Sequence, residues 1–535
     1  MPLPPDAAPL PSLHAATVDA MLAARAEDTP EAPFLYFGDD TVTYAQMHAR
    51  AERAAAALHR SGIGRGDRVA IAAGNSTQWL VAYFACCRLG AVLVTLSVAY
   101  REREFVYMLG QSGARLLLCD ERAGDFAFRP FLESLRPRIT SVERIVYFGA
   151  PDAEDSWENL LAAGAGGTEA GTTVTAAAPA PASSPDSPAV ILYTSGTTGD
   201  PKGATLTHRS LLASAAAQSE RFGQAPDDVT LGVMPFNHVG GLTCTIGASL
   251  VSGGAVALLP RFHPDLVAQV VPARRVTMFV GVPTMYRMML GSEQFAACDV
   301  SSVRLCVVGG SNLEPELAGQ VRDRFGGPRL ANLYGLSETS GACIISPADD
   351  TFEQVATSIG TALTGFEARI VDDDGAPLPA GEAGELQVRG ACVAAGYWEA
   401  PGATAGAFGA DGWLSTGDIG MLTDDGHVTL LARKKEMYVR GGYNVYPAEV
   451  ESLLATDPSV AMCAVIGVPD ATFGETGHAF VVPAPGATVD TAALLRLCAV
   501  SLAEYKVPAR IEVVDALPMT PAGKIRKVLL TPSRT

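Results

Sequence analysis

An apolar run, Ala189 to Thr194 (AVILYT), leads straight into Ser195, Gly196, Thr197, Thr198, Gly199, Asp200, Pro201, Lys202 and Gly203. Glycines let a backbone approach an anion closely and turn its N–H groups toward it; Ser and Thr hydroxyls add donors and lysine adds a charge. The natural guest of such a turn is a polyphosphate. The spacing fails the nucleotide-switch pattern G-x-x-x-x-G-K-[ST], because Lys202 follows Pro201 and precedes Gly203. Alone, a Gly/Ser/Thr stretch after a strand is more often a surface hairpin, so its meaning depends on what accompanies it.

What accompanies it are MPFNHVGG (234–241), VVGGS (307–311), NLYGLSET (332–339), STGD (415–418), ARKKEMYVRGGYNVYPAEVE (432–451) and PAGKIRK (521–527). In this order, and behind YTSGTTGDPKG, they closely resemble the signature segments of the acyl-adenylate-forming superfamily, its acyl-CoA synthetase branch above all. The resemblance spans essentially the whole chain. It implies an ATP- and magnesium-dependent carboxylate–CoA ligase: an acid and ATP give acyl-AMP and pyrophosphate, and acyl-AMP and coenzyme A then give acyl-CoA and AMP.

By the same resemblance, Thr194, Ser195, Gly196, Thr197, Thr198, Gly199 and Lys202 grip the phosphates. Tyr334 lies against adenine, Asn332 and Gly335 help bind the nucleotide, Ser337 keeps a hydroxyl close to the phosphate, and Glu338 holds magnesium with Thr198 as a companion. A hard cation prefers such carboxylate and phosphate oxygens. Ser337 stands where many relatives have Thr and keeps the hydroxyl. Gly309, Gly310 and Ser311 line adenine and the acyl entrance. Asp418 accepts from the ribose hydroxyls, supported by Arg433. Lys524 meets the reacting carboxylate and stabilises the transition state electrostatically.

Adenylation needs Lys524 in the site, whereas thioester formation needs a channel for the pantetheine arm. The resemblance implies rotation of the C-terminal domain about Lys435, after which Gly441, Gly442 and Tyr443 line the channel. Glu436 replaces the Asp common among relatives. Arg433, Lys434, Lys435, Arg440 and Lys506 could attract the CoA phosphates. His238 resembles the aromatic gate between acid and thiol, and is an unsupported metal ligand because no other ligand type adjoins it.

The acid pocket is expected around His238, Val239, Gly240, Gly241, Val282, Thr284, Ser311, Thr339 and Gly341, mostly small and uncharged positions. Peptide-synthetase domains place an aspartate near the histidine to hold an α-ammonium; here Asn237 precedes His238, which disfavours an amino acid. A medium-to-long fatty acid or a bulky cyclic acid fits better. Two other functions stay open. One is loading of an acyl carrier protein, which offers the same pantetheine arm. The other is a non-catalytic acyl or nucleotide sensor, although a sensor should have lost Lys524, Glu338 or the phosphate loop.

The elements that must position these residues are legible too. From Asp67 to Asp120 the chain reads strand (RVAIAAG), helix, strand (AVLVTL), helix, strand (ARLLLCD), which argues for a parallel sheet with crossover helices. About 163–188 is Gly, Ala, Thr, Ser and Pro, a flexible connection. Beyond it the pattern changes after Arg433 into a smaller helix–strand–strand–helix–strand set. The fold class is therefore α/β: a large N-terminal domain, 1–434, with parallel-rich sheets, and a small mobile α+β domain, 435–535.

Composition closes off other classes. At 535 residues, 48% hydrophobic and 18% charged, the chain reads as a globular protein with more than one core. A net charge of −18 opposes nucleic-acid binding. No apolar run is long enough to cross a membrane and no leader precedes the first domain, so a cytoplasmic location is expected. Ten cysteines without zinc or disulfide spacing read as buried thiols. A homodimer remains open beside a monomer.

Overall fold

The strands expected between Asp67 and Asp120 form at Arg68–Ala72, Val92–Thr95 and Leu116–Asp120, with helices Thr77–Leu89 and Glu102–Ser112 crossing between them. The computed structural model describes residues 16–163, 168–169, 172–173, 183–194, 201–310, 313–434, 436–441, 443–519 and 525–532. These strands belong to a six-stranded sheet, in the order Lys202–Thr207, Pro188–Thr194, Val92–Thr95, Arg68–Ala72, Leu116–Asp120, Arg144–Phe148. All neighbours are parallel except the first pair.

Alternation along these strands divides the core. Val69, Ile71, Leu93 and Leu118 enter one apolar cluster, while Ala70, Ala72, Val94 and Leu117 enter another on the opposite face. Both faces are covered, as a parallel sheet with crossover helices requires, and this is why the strands read as unbroken apolar runs.

A second, nine-stranded sheet runs Thr361–Ala362, Gly341–Ile345, Arg329–Leu336, Leu305–Gly309, Met278–Gly281, Val229–Gly232, Ala255–Leu258, Pro33–Phe37, Asp40–Thr43. Its middle is parallel and its ends antiparallel. A four-stranded antiparallel sheet follows, Phe366–Val371, Ala383–Gly390, Trp413–Leu422 and Val428–Arg433. It has no counterpart in the sequence reading, because its strands are half-buried and mixed in polarity.

The C-terminal part builds its own sheet from Tyr443–Val445, Tyr438–Arg440, Gly474–Pro483 and Val460–Asp470, with Arg510–Val513 parallel to Gly474–Pro483. Helices Pro447–Leu454 and Thr491–Ser501 cover it. Its two apolar clusters draw only on residues from 438 onward. The molecule is thus a large α/β domain with parallel-rich sheets and a smaller C-terminal domain.

Most of the 163–188 connection lies outside the described residues; within it Thr168–Glu169 pairs with Thr172–Thr173. All ten cysteines are free, eight of them buried. No helix among the described residues is long and apolar enough to cross a membrane.

Candidate active site

The phosphate-loop hairpin is closed at its base. Thr194 and Lys202 face each other across antiparallel strands, and the Thr194 hydroxyl lies 3.4 Å from the Lys202 carbonyl. Ser195, Gly196, Thr197, Thr198 and Gly199 lie outside the described residues, as do Ser311, Lys435, Gly442 and Lys524. Along the outer side of Lys202–Thr207 runs an extra segment: Thr205 N–H donates to Gly396 C=O at 2.9 Å and Trp398 N–H to Gly203 C=O at 2.8 Å. That pairing sets Tyr397 beside the hairpin, with Lys202 Nζ 5.1 Å from its ring centre.

Tyr397 then meets the proposed metal ligand. Its hydroxyl donates to Glu338 Oε1 at 2.7 Å, and the Glu338 carbonyl accepts Ala394 N–H at 2.8 Å. Burial, reinforced by Glu338, pushes the Tyr397 phenol well above its usual range, so it remains a donor. Glu338 sits in the tight turn Ser337–Thr339, which packs against both hairpin strands. A carboxylate has about four lone-pair sites, so this hydrogen bond leaves acceptor capacity for a hard cation. No cluster of three or more His, Cys, Asp or Glu offers a resident metal site among the described residues.

One strand earlier, Tyr334 is turned by a bulge between it and Gly335. Its hydroxyl donates to Asp418 Oδ2 at 2.6 Å, inside the protein. Burial first, then Asp418, raises this phenol well above its ordinary value. Asp418 faces Arg433 across the antiparallel pair, with Arg433 Nε 3.1 Å from Oδ1. Three residues from three motifs therefore form one chain, Tyr334–Asp418–Arg433. Asn332, by contrast, is buried and gives its amide N–H to Ser358 C=O at 3.1 Å, so its side chain braces the fold locally.

His238 caps the short helix Val239–Gly241, its Nδ1 accepting Gly240 N–H at 3.1 Å. A π-helix, Leu242–Gly247, continues from it, a form that recurs at functional sites. It packs against Gly341–Ile345, the strand that follows the Glu338 turn. Val282 is buried at the head of helix Pro283–Leu290, and Thr284 is half-buried within it. The Thr339 hydroxyl accepts Leu336 N–H at 2.8 Å and closes the turn. Gly309 ends its strand, and Gly310 takes φ +82°.

The four described members of the expected basic cluster all have partners. Lys434 Nζ pairs with Glu385 at 3.1 Å and Asp373 at 3.2 Å, and Arg433 with Asp418. Arg440 donates to the carbonyls of Glu504 and Val507 at 3.2 and 2.8 Å, and Lys506 pairs with Glu449 at 2.7 Å. Gly441 (φ +58°) donates its N–H to Phe473 C=O, and Tyr443, 61% exposed, stacks on Tyr505 at 4.7 Å. Tyr397 and Glu385 went unmarked in the sequence reading, because each is joined to its partner only by folding, across 59 and 49 residues.

A mixed α/β body with a paired glycine-rich hairpin, a buried Tyr–Asp pair answered by an exposed Arg433, and a smaller C-terminal domain defines an adenylate-forming enzyme. Residues 22–398 match the model of the AMP-binding enzyme family and residues 449–524 that of the AMP-binding enzyme C-terminal domain. The chain is 35% identical over 512 residues, 96% of its length and 97% of the relative's, to a CoA ligase of Mycobacterium tuberculosis named for a methyl-dioxo-octahydroindenyl-propanoyl group. It is 35% identical over 504 residues to a feruloyl-CoA synthase of an Amycolatopsis species, covering 94% and 96%. Among solved structures, ATP-bound MatB from Rhodopseudomonas palustris matches at 32% identity and TM-score 0.84, covering 96% and 98%; apo MatB matches at 33% and 0.74, with the same coverage. The chain belongs to the AMP-binding enzyme family, in its acyl-CoA synthetase branch, and is an AMP-forming acid–thiol ligase that uses ATP and coenzyme A.

Proposed function

We propose that the protein activates a hydrophobic carboxylic acid, a bulky cyclic acid or a medium-to-long fatty acid, and transfers it to coenzyme A. The reading rests chiefly on one convergence: Tyr334–Asp418–Arg433 and Lys202–Tyr397–Glu338 meet on one segment, since Tyr334 stands near the end of the strand Arg329–Leu336 and Glu338 sits in the turn that follows it and packs on the hairpin. Asp418, already an acceptor at both oxygens, is the ribose acceptor, and Tyr334 presents its ring to adenine. Lys202 and the residues of the 195–199 stretch take the phosphates. Glu338, with Thr198, would hold magnesium, which offsets negative charge on the phosphates when bound.

The acid's carboxylate oxygen forms a bond to the α-phosphorus as the bond to pyrophosphate breaks. Lys524 stabilises the charge that gathers there. The CoA sulfur then attacks the acyl carbon, AMP departs, and the thiol proton is released. Between these steps the C-terminal domain, 435–535, turns about Lys435, and Gly441, Gly442 and Tyr443 meet the pantetheine arm with His238 as gate.

The choice of acid draws on side chains at the expected pocket. Val239, Gly240, Gly241, Val282, Thr284, Thr339 and Gly341 include no charge, so a second carboxylate or sulfonate on the acid would be left without a partner. The two relatives above are named for acyl groups built on rings. Use of ATP and CoA together with free, buried thiols supports a cytoplasmic location.

A pyrophosphate-release screen over fatty, aryl, polycyclic and dicarboxylic acids, with mass detection of the thioester, tests the substrate class. Preference for a dicarboxylate would refute it. Running the same acid against CoA and a carrier protein separates the two acceptors. Lys524→Ala should nearly abolish pyrophosphate exchange and spare CoA attack on supplied acyl-adenylate; equal loss of both would contradict the role.

A further inference from the structure

Three charged groups from separate parts of the smaller domain meet at Lys527. Lys527 Nζ lies 2.6 Å from Glu436 Oε2 and 2.8 Å from Glu451 Oε1, and Glu451 Oε1 also accepts Val465 N–H at 2.6 Å. The Lys527 and Glu451 side chains are only 15% and 19% exposed. Drawing charges out of water costs free energy that pairing does little more than offset, so such a cluster invites a reason beyond stability.

The positions of its members supply one. Arg433 and Lys434 are tied to the larger domain, through Asp418, Glu385 and Asp373. Glu436 is tied to Lys527 instead. The side chains on either side of residue 435 thus answer to different partners, Arg433 and Lys434 to the larger domain and Glu436 to Lys527. Lys527 stands three residues beyond Lys524. The residues flanking 520–524 are themselves joined: Met519 bridges Ile525 antiparallel, and Arg526 N–H donates to Pro518 C=O at 2.7 Å. Ile525 packs on the Ala464–Phe480–Leu517 cluster. The base of the lysine-bearing stretch is therefore closed, and Lys527 fastens it to the first residue after the hinge and to helix Pro447–Leu454.

We propose that Lys527, through Glu436 and Glu451, is a positioning residue for adenylation: it fastens the residues that flank 520–524 to the post-hinge segment and to helix Pro447–Leu454, so that Lys524 moves with them when the domain rotates. This rests on the assignment of Lys524 to the first half-reaction. Burial alone would favour a neutral Lys527, but Glu451 and Glu436 outweigh it and hold the ammonium charged.

The test uses the full chain with Lys527→Gln, Lys527→Arg, Glu451→Gln and Lys524→Ala, reading ATP–pyrophosphate exchange and acyl transfer from supplied acyl-adenylate separately, together with Tm. Lys527→Gln should slow exchange at saturating ATP and acid by about tenfold or more, with KM values and acyl transfer within about twofold of the parent. Lys527→Arg, which can still reach both carboxylates, should recover most of the exchange, and Glu451→Gln should fall between. Unchanged exchange in Lys527→Gln, or equal slowing of both half-reactions in step with a lower Tm, would overturn the proposal. Full exchange in Lys524→Ala would instead overturn the assignment beneath it. Should Lys527→Gln not fold, Glu436→Gln carries the same comparison.

Discussion

Glu338 owes its orientation to a phenol 59 residues further along the chain. Removing that hydroxyl leaves the carboxylate in place but frees it to turn, and partners of this kind influence metal affinity strongly. Tyr397→Phe is therefore expected to raise the magnesium concentration for half-maximal pyrophosphate exchange by roughly tenfold. Calorimetric titration of ATP in the presence of magnesium should weaken in parallel. Stability should fall by only about 1 kcal/mol, the net worth of one hydrogen bond. An unaltered magnesium dependence would remove Tyr397 from the site. Tyr334, Glu338, Asp418 and Arg433 were all legible in the sequence, because each sits in a motif. That Tyr334 and Arg433 share one carboxylate was not, since motif order says nothing of contact.

Strands impose constraints that single residues do not reveal. In the pair Arg329–Leu336 and Gly341–Ile345, a Cβ on Gly335 would stand 2.1 Å from the Gly341 carbonyl oxygen, and Gly341 itself takes φ +142°. Gly335→Ala should cost about 3 kcal/mol or more in urea unfolding, because the clash is with backbone. Helix His208–Phe222 makes a second case. His208 is buried, its Nδ1 accepts Val18 N–H at 3.3 Å, and burial lowers its pKa to about 4. The folded protein keeps it neutral while the unfolded chain protonates it below about 6.5, so its contribution is present above 6.5 and is lost as pH falls toward 4. At pH 5, His208→Gln should spare about 2 kcal/mol of the acid loss relative to pH 7. Asp120, raised to about 6 by burial, acts oppositely in both proteins and cancels in the comparison.

The whole molecule adds charge and arrangement. With a net charge of −18, and with Arg433, Lys434 and Lys506 already paired with carboxylates, the protein repels a polyanion such as CoA at long range. Raising ionic strength from about 10 to 150 mM shortens the screening length from about 30 to 8 Å, so KM for CoA should fall by a fewfold. A rise would mean that a local cationic funnel dominates. Arg433 pairs with Asp418 of the large domain, and three residues on Glu436 pairs with Lys527 of the small one.

Local pattern carried the first sheet, whose strands Arg68–Ala72, Val92–Thr95 and Leu116–Asp120 fall within the apolar runs that announce them, because burial on both faces leaves a continuous hydrophobic signature. It carried the small domain's helices and long strands for similar reasons. The sheet from Phe366 to Arg433 escaped it, since half-exposed antiparallel strands mix polar and apolar residues and their pairing is a long-range event. By itself, then, the order of side chains determined the class of chemistry, as phosphate binding and charge stabilisation demand particular residue types at particular spacings. Which carboxylate answers which cation was decided only in three dimensions: Lys434 by Glu385, Lys506 by Glu449 and Lys527 by Glu436 and Glu451. A charge acts through distance, and only the folded chain sets the distances.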